Sequence, residues 1–262
     1  MINFFRQIRL RLLTQALFDK VFQCMVKENR FSRYFLYAIG EIVLVVIGIL
    51  IALQINTWNQ NKRDRALEAK ILKEIHQDLA FDASELRYDV ELMDTINLAC
   101  TRMLAHAAGG DGPTEGFGQY LNLIRVTPHF DPNRSGYALL VSKGLELITT
   151  DSLREAISTL YETQYPYYRR YEEERIAFIE AHYEARLLAY ADCDPRPDHR
   201  YLTSVSVLPG EYAAMRSDLA FLRAVKGVQV ENLYVQDRGK RTLAVIEKLA
   251  TMIDHELATH QR

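Results

Sequence analysis

Cysteine is nearly absent from this chain. Three residues in 262, Cys24, Cys100 and Cys193, are too few and too scattered for a disulfide framework or a cysteine-bound metal. Cys100 and Cys193 could pair in an oxidising compartment, although two ordinary buried thiols account for them more simply. Proline (7) and glycine (12) are also sparse, which argues against extensive disorder. No GxGxxG, P-loop or GxSxG pattern occurs, so the sequence offers neither a phosphate cradle nor a nucleophile elbow. HExxH, HxH and CxxCH are missing as well, and His255 and His260 are five apart, off the i, i+4 face that a helical metal pair needs. Asp192, Asp194, Asp198 and His199 crowd a proline-rich stretch that could hold a divalent cation, but solvated acidic loops look the same. The reading is therefore non-enzymatic, with no catalytic, cofactor-binding or metal residue assigned and no cofactor expected.

What is present is apolar, charged and unevenly distributed. The composition is 48% hydrophobic and 25% charged, that of a folded protein. The net charge of −2 hides a split: residues 1–73 carry 12 Lys/Arg against 5 Asp/Glu, and residues 74–262 carry 20 against 29. A basic start and an acidic remainder suit a segment near anionic lipid joined to a domain held off it. The same acidity speaks against nucleic acid as a partner.

Ile42 to Leu53 reads IVLVVIGILIAL without one polar side chain. Twelve residues fall short of the roughly 20 that span a bilayer, but aromatic flanks extend the run on both sides, with Tyr34, Phe35 and Tyr37 before it and Trp58 after it. Aromatic rings favour the headgroup level, so the span is placed at 34–56, with Tyr34, Tyr37 and Trp58 as interfacial anchors. No small-residue cleavage site follows, which sets it apart from a signal peptide. Glu41 is the one charge within it, and Gly48 and Ala52 lie seven and eleven residues on, along the same helical stripe. Small residues four apart admit a second helix closely. The stripe Glu41, Gly48, Ala52 is thus read as a helix-packing surface in the membrane, self-association included, with snorkelling or a bond to Tyr37 as the alternative for Glu41.

Before the span, residues 1–33 alternate apolar and basic residues at helical spacing. This basic amphipathic arm would lie on anionic lipid through Arg6, Arg9 and Arg11, or dock on a partner. Residues 1–33 carry seven Lys/Arg and residues 57–73 carry five, a bias toward a cytoplasmic N-terminus and a periplasmic C-terminal domain at a bacterial inner membrane.

The soluble part reads as helix. Leu67, Ile71, Leu72, Ile75, Leu79, Leu86, Val90, Met93 and Leu104 recur at threes and fours, so residues 57–108 form a stalk that becomes the first bundle helix. GGDGPTEG at 109–116 ends it. Beyond it, residues 109–262 form a helical domain. A helix covers 117–126, and two short pieces meet at Gly144. A long helix runs from a capping box at Ser152 and Glu155 toward Ala191, with Pro166 as a kink. Asp192–His199 ends that helix, Tyr201–Val207 could be one short strand, and helices fill 210–226 and 228–259. The fold class is all-α: an amphipathic arm, one transmembrane helix, and a long stalk helix leading into a bundle. Tyr165, Tyr167, Tyr168, Arg169, Arg170 and Tyr171 cluster in YPYYRRY, the best candidate partner surface in the domain.

The stretch YAIGEIVLVVIGILIALQINTWN, and more weakly SKGLELITTDSLREAISTLYE, resembles a family of bacterial single-pass proteins catalogued only as a domain of unknown function. FDKVFQCMVK lengthens the usual short basic arm, and the last sixty residues match in helical character alone. The resemblance implies a membrane-anchored helical fold and supplies no activity. The expected function is a non-catalytic accessory subunit that braces or caps a larger integral-membrane complex. A respiratory or photosynthetic host is named without a residue behind it. Expected partners are membrane lipids and other integral-membrane subunits. An envelope sensor and a cryptic enzyme are the alternatives.

Overall fold

The computed structural model describes residues 30–109, 116–196, 203–208 and 210–260, with side chains from Tyr34 to Thr259. The N-terminal arm with Arg6, Arg9 and Arg11 lies outside the described residues, as do Asp198 and His199. Contacts divide the chain into two units at Arg63 and Asp64. One helix, α1 (Arg30–Ala108), contributes to both.

In the first unit α1 carries the apolar run, with a mean hydropathy of 2.7 over 18 residues, none of them buried. By length and composition it can cross a membrane. Nothing stands within 4 Å of a Cβ built on Gly40 or Gly48.

In the second unit the remaining elements pack along α1. They are α2 (Phe117–Arg125), α3 (Ser135–Lys143), a 3₁₀ turn (Leu145–Leu147) and α4 (Asp151–Thr159). A π-turn (Leu160–Gln164) leads into α5 (Tyr165–Phe178), and a second (Ile179–Glu184) leads into α6 (Ala185–Leu187). Strands β1 (Ala191–Pro195) and β2 (Thr203–Val207), then α7 (Glu211–Ser217) and α8 (Leu219–His260), complete it. The fold is mostly helical, with one antiparallel ribbon pairing Ala191 with Val207 and Pro195 with Thr203.

Several sequence expectations are met and several corrected. Gly144 does break the helix at 143, at φ 99°, a backbone conformation that glycine adopts without strain. Pro166, read as a kink, sits in the first turn of α5, where its missing N–H costs little, directly after the π-turn. Residues 191–195 are a strand and not a loop, because β2 needs a backbone partner. The capping box at Ser152 does not form. Thr150 precedes the helix, and its hydroxyl donates to Glu256 Oε2 at 3.0 Å.

The break expected at Gly227 lies instead at Asp218. Its Oδ1 accepts the Ala220 N–H at 2.8 Å, capping α8, while Oδ2 accepts from the Tyr190 hydroxyl at 3.0 Å. Gly227 stays helical for a packing reason: a Cβ there would lie 2.2 Å from Phe178 Cζ.

Two apolar clusters result. One gathers Ile71, Ile75, Leu79 and Leu86 with α3, α4, Phe130, the start of α5 and the end of α8. The other gathers Ile96, Cys100 and Met103 with α2, Ile179, Tyr183, the ribbon and the start of α8. Cys100 is buried there as a free thiol, and Cys193 is free on β1.

The tightest fit in the second cluster is between Gly118 and the ribbon, where a Cβ would stand 1.8 Å from the Val205 carbonyl oxygen. Backbone cannot yield as a flexible side chain does. Gly118→Ala should cost about 3 kcal/mol, the upper end for overpacking, while Gly40→Ala leaves stability unchanged. Denaturant unfolding of the two variants measures the contrast.

Candidate functional site

The helical period of α1 places acids among its apolar positions. Glu68, Asp78, Asp82 and Asp89 fall on the buried face that also carries Ile75 and Met93. Each of the first three is used in the same way, as an acceptor for backbone N–H groups on the chain that crosses α1. Asp78 Oδ2 accepts the Gly136 N–H at 2.8 Å, and its two oxygens accept the Ser135 hydroxyl at 3.0 Å. An acid from α1 thus serves as the N-terminal cap of α3, whose own preceding residue, Arg134, makes no side-chain cap. Gly136 permits that approach, since a Cβ would meet Ile75 N at 2.7 Å. Glu68 Oε1 accepts the Thr149 N–H at 2.8 Å. Asp82 Oδ1 accepts the Asn133 N–H at 2.8 Å, and its Oδ2 accepts the Tyr165 hydroxyl at 2.6 Å.

Further along lies a buried polar layer between the two apolar clusters. From α5 come Glu172 and Arg175, each 1% exposed, and from α1 comes Asp89. Glu172 Oε1 accepts the Phe130 N–H at 2.9 Å, and Arg175 Nη2 donates to the Val126 carbonyl at 2.7 Å. Burial raises Glu172 to about 8, with Asp89 adding to the effect. Burial also raises Asp89 and Asp82 to about 6, and lowers Arg175 to about 10. From α8, Asn232 donates to the Met93 carbonyl at 2.8 Å and to Asn97 Oδ1 at 2.9 Å, and Gln236 donates to the Val90 carbonyl at 3.1 Å. These amides fix how α8 lies along α1, since a slip would strand buried polar groups.

The partner surface read from YPYYRRY divides. Tyr165 and Tyr168 are not surface residues: they are 4% and 1% exposed, packed edge-on to Phe130. The helical period of 3.6 residues carries these two, three apart, to the inner side of α5 while Tyr167, Arg169 and Arg170 stay outside. Tyr167 and Tyr171 meet at 3.1 Å through their hydroxyls, and Arg238 of α8 lies 4.9 and 5.1 Å from their ring centres. Arg169 pairs with Asp131 and Arg170 with Glu174. In the first unit Glu41, Gly48 and Ala52 are exposed on one stripe. Tyr34, Tyr37 and Trp58 are 80%, 81% and 67% exposed, with Lys62 Nζ 5.8 Å from the Trp58 ring centre. Asp192 and Asp194 lie on β1, and no group of three metal-ligating side chains occurs among the described residues.

Comparison with known proteins gives one positive result. Residues 41–178 match a family of unknown function, DUF6090, over more than half of the chain. The chain belongs to this family. The matched stretch runs from Glu41 through the acids of α1 to the end of α5, so it holds the apolar run and, of the buried polar layer, Asp89, Glu172 and Arg175. No curated protein matches, and no solved structure matches.

The acids were missed in the sequence because they count as charge. Their signal was available: Asp78, Asp82 and Asp89 are spaced four and seven apart, in phase with Ile75 and Leu86. Glu172 and Arg175 keep the phase of Tyr165 and Tyr168 in the same way.

Tyr165→Phe removes one donor and leaves Asp82 Oδ2 buried without it. An acceptor orphaned in this way costs about 1–3 kcal/mol. Tyr167→Phe, outside the core, should change stability by less than about 0.5 kcal/mol. Urea unfolding of the two variants checks the difference.

Proposed function

We propose that the protein is a non-catalytic, single-pass accessory subunit that contributes a helical body to a larger integral-membrane complex. The observation that carries this reading is the uncovered apolar surface of α1 from Tyr34 to Ile55. Among the described residues none there is buried, and an apolar surface of this length calls for lipid or other helices to cover it. On that surface Glu41, Gly48 and Ala52 make one stripe: a carboxylate that seeks protein rather than lipid, beside two small residues that admit a helix backbone. Tyr34, Tyr37 and Trp58 at the two ends suit the headgroup levels. The modest excess of Lys/Arg before the span supports an N-terminus in the cytoplasm and a body in the periplasm, at a bacterial inner membrane. Outside the bilayer, Tyr167, Tyr171 and Arg238 offer an aromatic and cationic contact face of the kind that interfaces favour.

A second reading, a sensor in the envelope, is favoured by the buried titratable layer of Asp89, Glu172 and Arg175, a costly arrangement if rigidity were its only use. It does not exclude the first.

The test is native purification in mild detergent of the wild type, Glu41→Leu and Gly48→Ile. Specific integral-membrane proteins should accompany the wild type and be lost or reduced in both variants. A monodisperse homo-oligomer without companions, or companions retained equally by the variants, would overturn the accessory-subunit reading.

A further inference from the structure

The irregular stretch from Val126 to Arg134 is fastened by charged side chains. Arg175 holds the Val126 carbonyl, Glu172 holds the Phe130 N–H, Asp82 holds the Asn133 N–H, and Arg169 pairs with Asp131. Glu172 stands at the centre and is the least balanced of these. Its side chain is 0% exposed, and its second oxygen, Oε2, is buried without a hydrogen-bond partner among the described residues. His129 Nδ1 approaches that oxygen to 3.8 Å, too far for a hydrogen bond. The Tyr168 hydroxyl and Arg175 Nε, on the same stripe of α5, are buried without partners as well.

We propose that Glu172 is an internal proton-binding site, and that the proton it holds keeps the 126–134 stretch fastened to α5. With a proton on Oε2 the buried carboxyl is neutral, while Oε1 still accepts the Phe130 N–H. Without the proton, Asp89 and Glu172 are two carboxylates sharing one buried cation, Arg175. Lifting the stretch then admits water to both.

The surrounding groups agree with this assignment. From α1 come Asp89, with Glu85 behind it, and Cys100 beside Arg175. The crossing stretch supplies His129 and Asp131, and α5 supplies Tyr168, Arg169 and Arg175. Helix α8 brings Gly239 against Tyr168, where a Cβ would lie 3.4 Å from the hydroxyl. His129 is 46% exposed and lies between Glu172 and Asp131, its Nδ1 3.8 Å from Glu172 Oε2 and its Nε2 3.9 Å from Asp131 Oδ1.

The direction of the pH response follows from linkage. Burial raises Glu172 from its ordinary 4.5 to about 8. The fastened state therefore binds one more proton than the lifted state between those values, and lifting grows as pH rises, by up to about tenfold per pH unit. Above about 8 the effect levels off. Asp82 and Asp89 add the same sign only up to about 6, so of these three carboxyls Glu172 alone acts between 6 and 8, and the Glu172→Gln variant isolates its share.

The experiment is hydrogen–deuterium exchange with mass spectrometry on the full chain in lipid nanodiscs. The peptide covering residues 126–136 is followed from pH 6 to 9, normalised at each pH to the rate of an unstructured peptide. In the wild type, normalised exchange should rise about tenfold per unit to pH 8 and then flatten. In Glu172→Gln, which carries no titratable proton there, it should stay flat throughout. A flat wild type, or the same rise in the variant, overturns the proposal. Should the variant fail to fold, the infrared band of a neutral carboxyl in the wild type supplies the second reading. Persistence at pH 7 and loss above about 8 supports the site, and absence at pH 7 overturns it.

Discussion

A backbone N–H that leaves regular structure inside a protein must find an acceptor, and here carboxylates on one face of α1 supply it. Glu68, Asp78 and Asp82 take the N–H groups of Thr149, Gly136 and Asn133. Without those acceptors the chain between α2 and α4 would have to stay in water, where its amides are satisfied. With them, that stretch lies flat on α1 and carries Phe130, Tyr137 and Ile148 into the first core. An acid on a core-facing position is costly when unpaired, so each depends on the segment it holds as much as the segment depends on it.

The same logic organises the centre of the body. Two apolar clusters alone would tolerate small shifts of α8 against α1, because apolar contact is not directional. The amides of Asn232 and Gln236, bonded to carbonyls of α1, remove that freedom. Glu172 and Arg175 do the equivalent for the crossing stretch. Such a layer gives up some stability for a defined register, and it leaves groups with shifted proton affinity in the interior.

The coarse architecture was legible in the sequence, and the polar layer was not. The apolar run at 42–53, the break at Gly144 and the helical character of the body follow from local patterning. Gly227 misled because a glycine in a helix reads as a stop, whereas here it clears space for Phe178. The capping box at Ser152 misled because the helix start is held from outside, by Glu68 and Glu256. The tyrosines of α5 were grouped by proximity in sequence, and the helical period separated them. For Gly227 and for the helix start the deciding partner is distant in the chain, up to 106 residues away for Thr150 and Glu256. Local spacing carries no information about such a partner, except where an acid falls in phase with apolar neighbours.

One helix carries both the apolar run at 34–55 and the acids that shape the body, and the match to the family of unknown function runs from Glu41 on that helix to the end of α5. The central claim is that these acids hold the crossing segment in place, and trypsin tests it most directly at Arg134, an exposed cleavage site within that segment. In the wild type, cleavage after Arg134 should be slow. In Asp78→Ala/Asp82→Ala it should speed up by at least about tenfold, the equivalent of about 1.4 kcal/mol of lost fastening. Equal rates in the two proteins would contradict the account.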